Sequence, residues 1–176
     1  MTSTPAPAPA QREPELAGQT VVLVGGSAGI GLETARRARA EGADVILTGR
    51  NPGRLQQAAL EIGAQRIAAF DATDTAALAG FFQDLPGTVD HVLVTAGGAT
   101  YRPLLEMDAA QVRDAVSDHI VLGLEVARNA VGKMRLGGTL LLMGGTGGRR
   151  VGHGLGIVSA VTAAAQPTLP RSPCTS

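Results

Sequence analysis

The fold class predicted for this chain is α/β, a doubly wound parallel sheet with helices on both faces, and three observations predict it. Short apolar runs of strand type alternate with stretches of helical period from residue 20 to residue 143. A glycine cluster, GGSAGIG at 25–31, stands where the first run passes into the first helical stretch. The 176 residues, 44% hydrophobic and 17% charged, suit one compact domain. Strands alternating with helices require crossover connections, and these are right-handed and lay helices on both sides of a parallel sheet.

Element by element, Thr20–Val24 reads as a buried β-branched strand, and the Ala- and Arg-rich stretch after Gly29 as a helix that stops at Gly42. Asp44–Thr48 is a second strand, Asn51–Ile62 a helix, and Arg66–Phe70 a third strand ending at Asp71. Asp74–Leu85 follows as a helix, His91–Thr95 as a fourth strand, Ala109–Met134 as one long helix, and Thr139–Met143 as a fifth strand before GGTGG. Gly154–Ala165 is a weak helix of small residues, after which three prolines in QPTLPRSPCTS end the pattern. If strand order reverses between the first and fourth strands, the ligand crevice lies over their carboxyl ends, where GGSAGIG and the TAGG segment at 95–98 face each other.

The glycines identify the ligand class. Without side chains, Gly25 and Gly29 take turn dihedrals and let backbone N–H groups approach a pyrophosphate, whose charge is favoured at a helix N-terminus. Gly31 permits close packing of helix on strand, and Ser27 and Ile30 share the turn. The spacing G-x-x-x-G-x-G from Gly25 through Gly29 to Gly31 resembles the fingerprint of the short-chain dehydrogenase/reductase family. The likeness covers about residues 20–165 and implies a Rossmann-type domain with a nicotinamide dinucleotide cofactor.

The resemblance assigns further positions. In the family an acid closing the second strand binds the adenosine ribose and repels a 2′-phosphate; here Gly49 stands there and Arg50 follows, which favours NADP(H) over NAD(H). Asp71 in FDATD matches the acid that accepts from the adenine amino group, with the Ala72 backbone against the ring, and a turn or cap role suits the same carboxylate. The family's Asn-Asn-Ala-Gly is replaced by Val94, Thr95, Ala96 and Gly97. Ala96 and Gly97 keep room beside the cofactor, and Thr95 is expected to replace one of the bracing hydrogen bonds.

The catalytic half departs from the family. Its Tyr-x-x-x-Lys pair falls on Gly156 and Ala160, and its serine near Gly144 or Gly145, where Thr146 is the nearby hydroxyl. Thr146 reads either as a ligand of the substrate oxygen or as a turn residue. The family's active-site Asn aligns with His119, a shift of one giving Ile120. His119 lies at helical spacing with Val112, Val116, Gly123, Val126 and Ala130, so it is either an inward proton relay or a core histidine bonded to a carbonyl. Tyr101 follows the fourth strand as a pocket-wall or surface residue.

The activity implied is hydride transfer between NADP(H) and a small carbonyl or alcohol. The alternative is a cofactor-binding sensor or partner subunit without that chemistry, or a defective shortened reductase. Equal numbers of acidic and basic residues, with no Lys/Arg stripe, argue against nucleic acid or an anionic membrane as partner. No apolar run approaches the roughly 20 residues a bilayer needs. Cys174 is the single cysteine, so neither an internal disulfide nor a cysteine metal cluster is expected, in keeping with the cytoplasm. Residues 1–19 read as a flexible Pro/Ala-rich leader, 20–165 as the nucleotide-binding domain and 166–176 as a disordered tail. Members of the family resembled run to about 250 residues, a single-domain size. The last strands and much of the substrate pocket are therefore expected to be missing, and a homo-oligomer or partner is expected to cover the fifth strand.

Overall fold

The computed structural model describes residues 15–97 and 106–144, apart from the side chain of His119. Five parallel strands form one sheet: β1 (Thr20–Val24), β2 (Asp44–Gly49), β3 (Arg66–Ala69), β4 (Val89–Val94) and β5 (Met134–Leu142), in the order β3-β2-β1-β4-β5. The order reverses at β1, which pairs with β2 on one side and β4 on the other. That is the arrangement expected of a doubly wound sheet.

Alternation along the strands divides the core in two. Val21 and Leu23 of β1, with Val45 and Leu47 of β2, face Ala35, Ala38, Leu55 and Ala58 from α1 (Gly29–Ala40) and α2 (Pro52–Ile62). Val22 and Val24, with Val92 and Val94, face α3 (Thr75–Gln83) and α5 (Leu122–Val131), where Leu78, Phe82 and Val126 are fully buried. β1, β2 and β4 are apolar on both sides because helices cover both sides.

Helix starts arise from local chemistry. Asn51 caps α2 by accepting from the Arg54 N–H at 2.9 Å, with Pro52 at the first helical position and Gly63 closing the helix at φ 65°. Asp74 caps α3 through the Ala76 and Ala77 N–H groups. Asp108 and Gln111 form a reciprocal capping box on α4 (Ala109–Val116). α1 differs: Ala28 at its N-cap offers no side chain, and its first turn holds no acid.

Two expectations are corrected. The helix drawn from Ala109 to Met134 is two helices joined by a π-helical turn, Ser117–Val121, and it ends at Val131. The wider turn rotates α5 relative to α4, so the buried stripe runs Ala115, Leu122, Gly123, Val126, Ala130 and leaves Val112 and Val116 half-buried. The fifth strand begins at Met134, not Thr139. A register shift opposite Val89–His91 and Gly137 at φ 82° carry the chain through a break that reads as a loop in sequence. Of the stretch read as a leader, residues 15–18 form a turn in which the Leu16 N–H donates to the Glu41 carbonyl at 3.0 Å.

Candidate functional site

Four loops leave the carboxyl ends of β1, β2, β3 and β4 at the reversal point and enclose one cleft of about 390 Å³. Its wall is completed by Asp118 and Leu122 from the helical layer. The volume lies within the range of small-molecule sites, about 300–1,000 Å³.

The β1–α1 turn is pinned from several directions. The Thr95 and Ala96 N–H groups both donate to the Val24 carbonyl, at 2.8 and 2.9 Å, and the Gly26 N–H donates to the Thr48 carbonyl at 2.9 Å. The Thr95 hydroxyl donates to the Gly25 carbonyl at 3.0 Å, which supplies the brace expected in place of an asparagine. Gly25 sits at φ 99°, and a Cβ there would lie 2.5 Å from the Ala96 nitrogen. A Cβ on Gly31 would lie 2.3 Å from the Gly25 carbonyl oxygen, so α1 can approach β1 this closely only with glycine. The result is a rigid turn at the start of a helix whose first-turn N–H groups have no side-chain cap.

Cationic groups stand beside it. Arg50 and Arg54 line the cleft from the β2–α2 side, and neither guanidinium makes an ion pair or hydrogen bond with a described residue. Gly49 leaves the end of β2 bare, and a Cβ there would come within 2.8 Å of the Ser27 hydroxyl oxygen. Across the cleft, the Asp71 Oδ1 accepts from both the Thr73 N–H (3.0 Å) and the Thr73 hydroxyl (2.8 Å). Those two bonds hold the Asp71 carboxyl below the usual carboxylate range, and the charge of Arg50 acts in the same direction. Asp71 is thus a turn acid whose second oxygen makes no hydrogen bond to a described residue. The cap role belongs to Asp74.

Of the residues singled out in the sequence, Gly25, Ser27, Arg50, Asp71, Ala72, Ala96 and Gly97 share this one cleft. Gly29 and Ile30 open on an adjoining shallow hollow with Glu33, Thr34 and Arg37. Gly31 is buried behind the turn. The backbone of His119 lies in the π-helical turn, next to the cleft residue Asp118. Thr146, Tyr101 and the Gly154–Ala165 segment lie outside the described residues. Arg54, Thr73, Asp118 and Leu122 also line the cleft and were not picked out in the sequence. Thr73 was legible, because a hydroxyl residue two positions after an aspartate is the pattern of a side-chain-closed turn. Asp118 had no comparable signal.

Among the described residues, no helix is long and apolar enough to cross a membrane, and no cluster of three or more His, Cys, Asp or Glu residues is placed to hold a metal ion.

A family model described as short chain dehydrogenase matches residues 19–153. The chain is 27% identical over 137 residues to the short-chain dehydrogenase/reductase ATR9 of Stachybotrys chlorohalonatus, covering 66% of this chain and 51% of that protein. It is 37% identical over 89 residues to a 2-dehydro-3-deoxy-L-rhamnonate dehydrogenase (NAD(+)) of a Sphingomonas species, covering 48% of this chain and 36% of the relative. Among solved structures, BdcA in complex with NADPH superposes with a TM-score of 0.79 at 28% identity, covering 86% of this chain and 62% of that one. The chain therefore spans about half the length, or less, of these curated relatives.

Proposed function

The chain belongs to the short chain dehydrogenase family, and on that premise we propose that it binds NADP(H) in the cleft over β1 and β4 and transfers hydride between that coenzyme and a small carbonyl or alcohol. The observation that carries the reading is the pairing, in one cleft, of an uncapped α1 N-terminus with two guanidiniums, Arg50 and Arg54, that make no hydrogen bond or ion pair with a described residue. A helix mouth without a side-chain cap favours a diphosphate. Two guanidiniums beside a glycine, where the family's acid would stand, favour a further phosphate on the adenosine ribose.

The residues present fit that coenzyme. The glycine turn and Ser27 would hold the diphosphate, Arg50 and Arg54 the 2′-phosphate, and Asp71, Ala72 and Ala96 the adenine ring. The nicotinamide, when bound, supplies the hydride donor or acceptor. This chain's own residues would have to hold the substrate oxygen and move its proton. Thr146 is assigned the first task and His119 the second, since imidazole changes charge near neutral pH. Cys174 as the sole cysteine supports the cytoplasm as the compartment. Leu124 and Val131, which α5 exposes, support self-association as a homo-oligomer.

A second reading has its own observation. Aligning GLGIVSAVTAAA with the family's catalytic helix puts Gly156 and Ala160 at the proton-transferring Tyr and Lys positions. On that reading the chain binds NADP(H) as a sensor or partner subunit and moves no hydride.

A thermal-shift series with NADPH and NADH separates the readings. A ligand present at about 100 times its dissociation constant adds about 2.7 kcal/mol to the folded state. Stabilisation by NADPH at lower concentration than NADH is expected, followed by loss of nicotinamide absorbance with a member of a carbonyl panel. Binding without that loss selects the second reading, and no stabilisation by either coenzyme rejects both.

A further inference from the structure

The close approach of the β1–α1 turn to the end of β2 leaves room for one side chain and no more. Ser27 and Gly49 meet there, and both line the cleft beside Arg50. A Cβ on Gly49 would lie 2.8 Å from the Ser27 hydroxyl oxygen, 3.2 Å from the Ser27 Cβ and 3.6 Å from the Leu55 Cδ1. Rotation of the serine about χ1 removes the first contact but not the second, because the backbone fixes Cβ. Leu55, fully buried, closes the other side.

Neither backbone is free to withdraw. The Gly26 N–H donates to the Thr48 carbonyl at 2.9 Å, so the residues just before the two in contact are bonded to each other. A Cβ on Gly26 would lie 2.7 Å from the Leu47 Cδ2, which leaves the turn no slack against the strand. On its other side β2 is held by β3, with Gly49 paired to Ala69 and the Gly49 carbonyl accepting from the Phe70 N–H at 3.2 Å. Positions 27 and 49 therefore compete for one volume, and in this chain the side chain stands at 27.

What fills that volume sets the chemistry at this end of the cleft. A carboxylate at the end of β2 accepts from ribose hydroxyls and repels a phosphate on the 2′ position. A serine hydroxyl carries a donor and no charge. The Ser27 hydroxyl makes no hydrogen bond with a described residue, and it stands half-buried in the wall that Arg50 shares, open to a phosphate oxygen. Resting on the reading of the cleft as a coenzyme site, we propose that Ser27 is a specificity-determining residue. Its backbone stays in the diphosphate turn while its hydroxyl donates to the 2′-phosphate of NADPH. Its side chain also excludes from position 49 the acid that would select NADH, so the pair of residues, and not Gly49 alone, decides the coenzyme.

The test is a mutant cycle of the full chain: the parent, Ser27→Gly, Gly49→Asp and the double variant. Each is followed by urea unfolding without coenzyme and by titration with NADPH and with NADH. Gly49→Asp alone is expected to lower the urea midpoint by about 1 M, the cost of overpacking a closed contact. In the Ser27→Gly background the same change should cost about half that or less, and the double variant should prefer NADH. Ser27→Ala, which removes the hydroxyl alone, should weaken NADPH binding about tenfold and NADH binding less than about twofold. A Gly49→Asp protein that fails to fold beside a double variant that folds supports the same conclusion. Equal stability costs of Gly49→Asp in the two backgrounds, or an unchanged ratio of NADPH to NADH affinity in folded Ser27→Ala, overturns the role of Ser27 and leaves the coenzyme reading standing. Binding of neither coenzyme by the folded parent chain overturns both.

Discussion

At the scale of single residues, two side chains carry predictions of opposite sign. Arg50 lines the cleft within reach of the Asp71 charge but makes no hydrogen bond or ion pair with a described residue, so its guanidinium donors are available to a ligand. Arg50→Glu is expected to reverse the preference for NADPH over NADH, through loss of a charge-assisted contact and gain of like-charge repulsion. Paired titrations with the two coenzymes measure it, and unchanged selectivity would remove Arg50 from the phosphate site. Asp71 is held below the usual carboxylate range chiefly by the Thr73 amide and hydroxyl. A carboxyl lowered in the native state contributes stability that is present above the unfolded value of about 3.9 and is lost as pH falls through the native one. Thr73→Ala removes one donor, so the Asp71 carboxyl should titrate closer to that ordinary value, as followed by carboxyl-carbon NMR from pH 6 downwards. How far sequence reveals such residues depends on how local their partners are. Arg50 and Asp71 were legible because each stands within two residues of the end of a strand that an apolar run marks. Asp118 was not, because its place in the cleft depends on a turn that wraps more residues than an α-helix and on a long-range approach to Gly97.

At the scale of elements, the four helices that start from a loop, α1 to α4, divide by what their first turns are for. α2, α3 and α4 each spend a side chain on the first turn, Asn51, Asp74 and Asp108. α1 has Ala28 there, in extended conformation at φ −163°, lining the cleft. A capping residue typically stabilises a helix by about 1 kcal/mol relative to alanine. α2 also starts at the cleft, through Asn51, but spends that side chain on its own first turn, so the uncapped start of α1 is the one consistent with leaving its N–H groups to a ligand. Ala28→Asp therefore predicts a trade. The urea midpoint should rise by the equivalent of about 0.5–2 kcal/mol, while NADPH affinity falls by at least about tenfold, because the new carboxylate occupies the donors and opposes the diphosphate. A variant that gained stability and kept its affinity would show that the mouth of α1 does not hold the anion. The elements themselves were mostly readable, since β1 to β4 each carry a short apolar run, which in β4 begins only after Asp90 and His91. The missed features share one cause. The π-helical turn and the early start of β5 are irregularities that no two-state periodicity represents, and both are stabilised by packing against residues distant in sequence.

For the whole molecule, the sheet ends in two edge strands, β3 and β5, and among the described residues β5 is the one that keeps exposed large apolar side chains. β5 has a strand neighbour only on its β4 side. One of its faces is occupied, with Leu140 and Leu142 packed against the core that α3 and α5 share. On the opposite face, where α1 and α2 cover the other end of the sheet, Leu141 and Met143 remain about half exposed, at 52% and 47%. The same alternation that builds both cores therefore produces an open edge with apolar side chains at the far end of the sheet. Unpaired backbone groups flanked by apolar side chains template pairing with another chain, whereas a lysine on such an edge blunts it by making addition of a strand bury a charge. The described chain should accordingly associate with itself as concentration rises, through β5 and not through the cleft. Leu141→Lys is expected to lower that association with little loss of fold stability, because Leu141 already faces solvent over half its surface. Sedimentation velocity across a concentration series, run with and without NADPH, checks both parts. Association should fall in the variant, and because Leu141 is not among the residues that line the cleft, coenzyme affinity should be the same in the two proteins. Association that persists unchanged in Leu141→Lys would place the contact elsewhere, with the exposed Leu124 and Val131 of α5 as the next surface to charge.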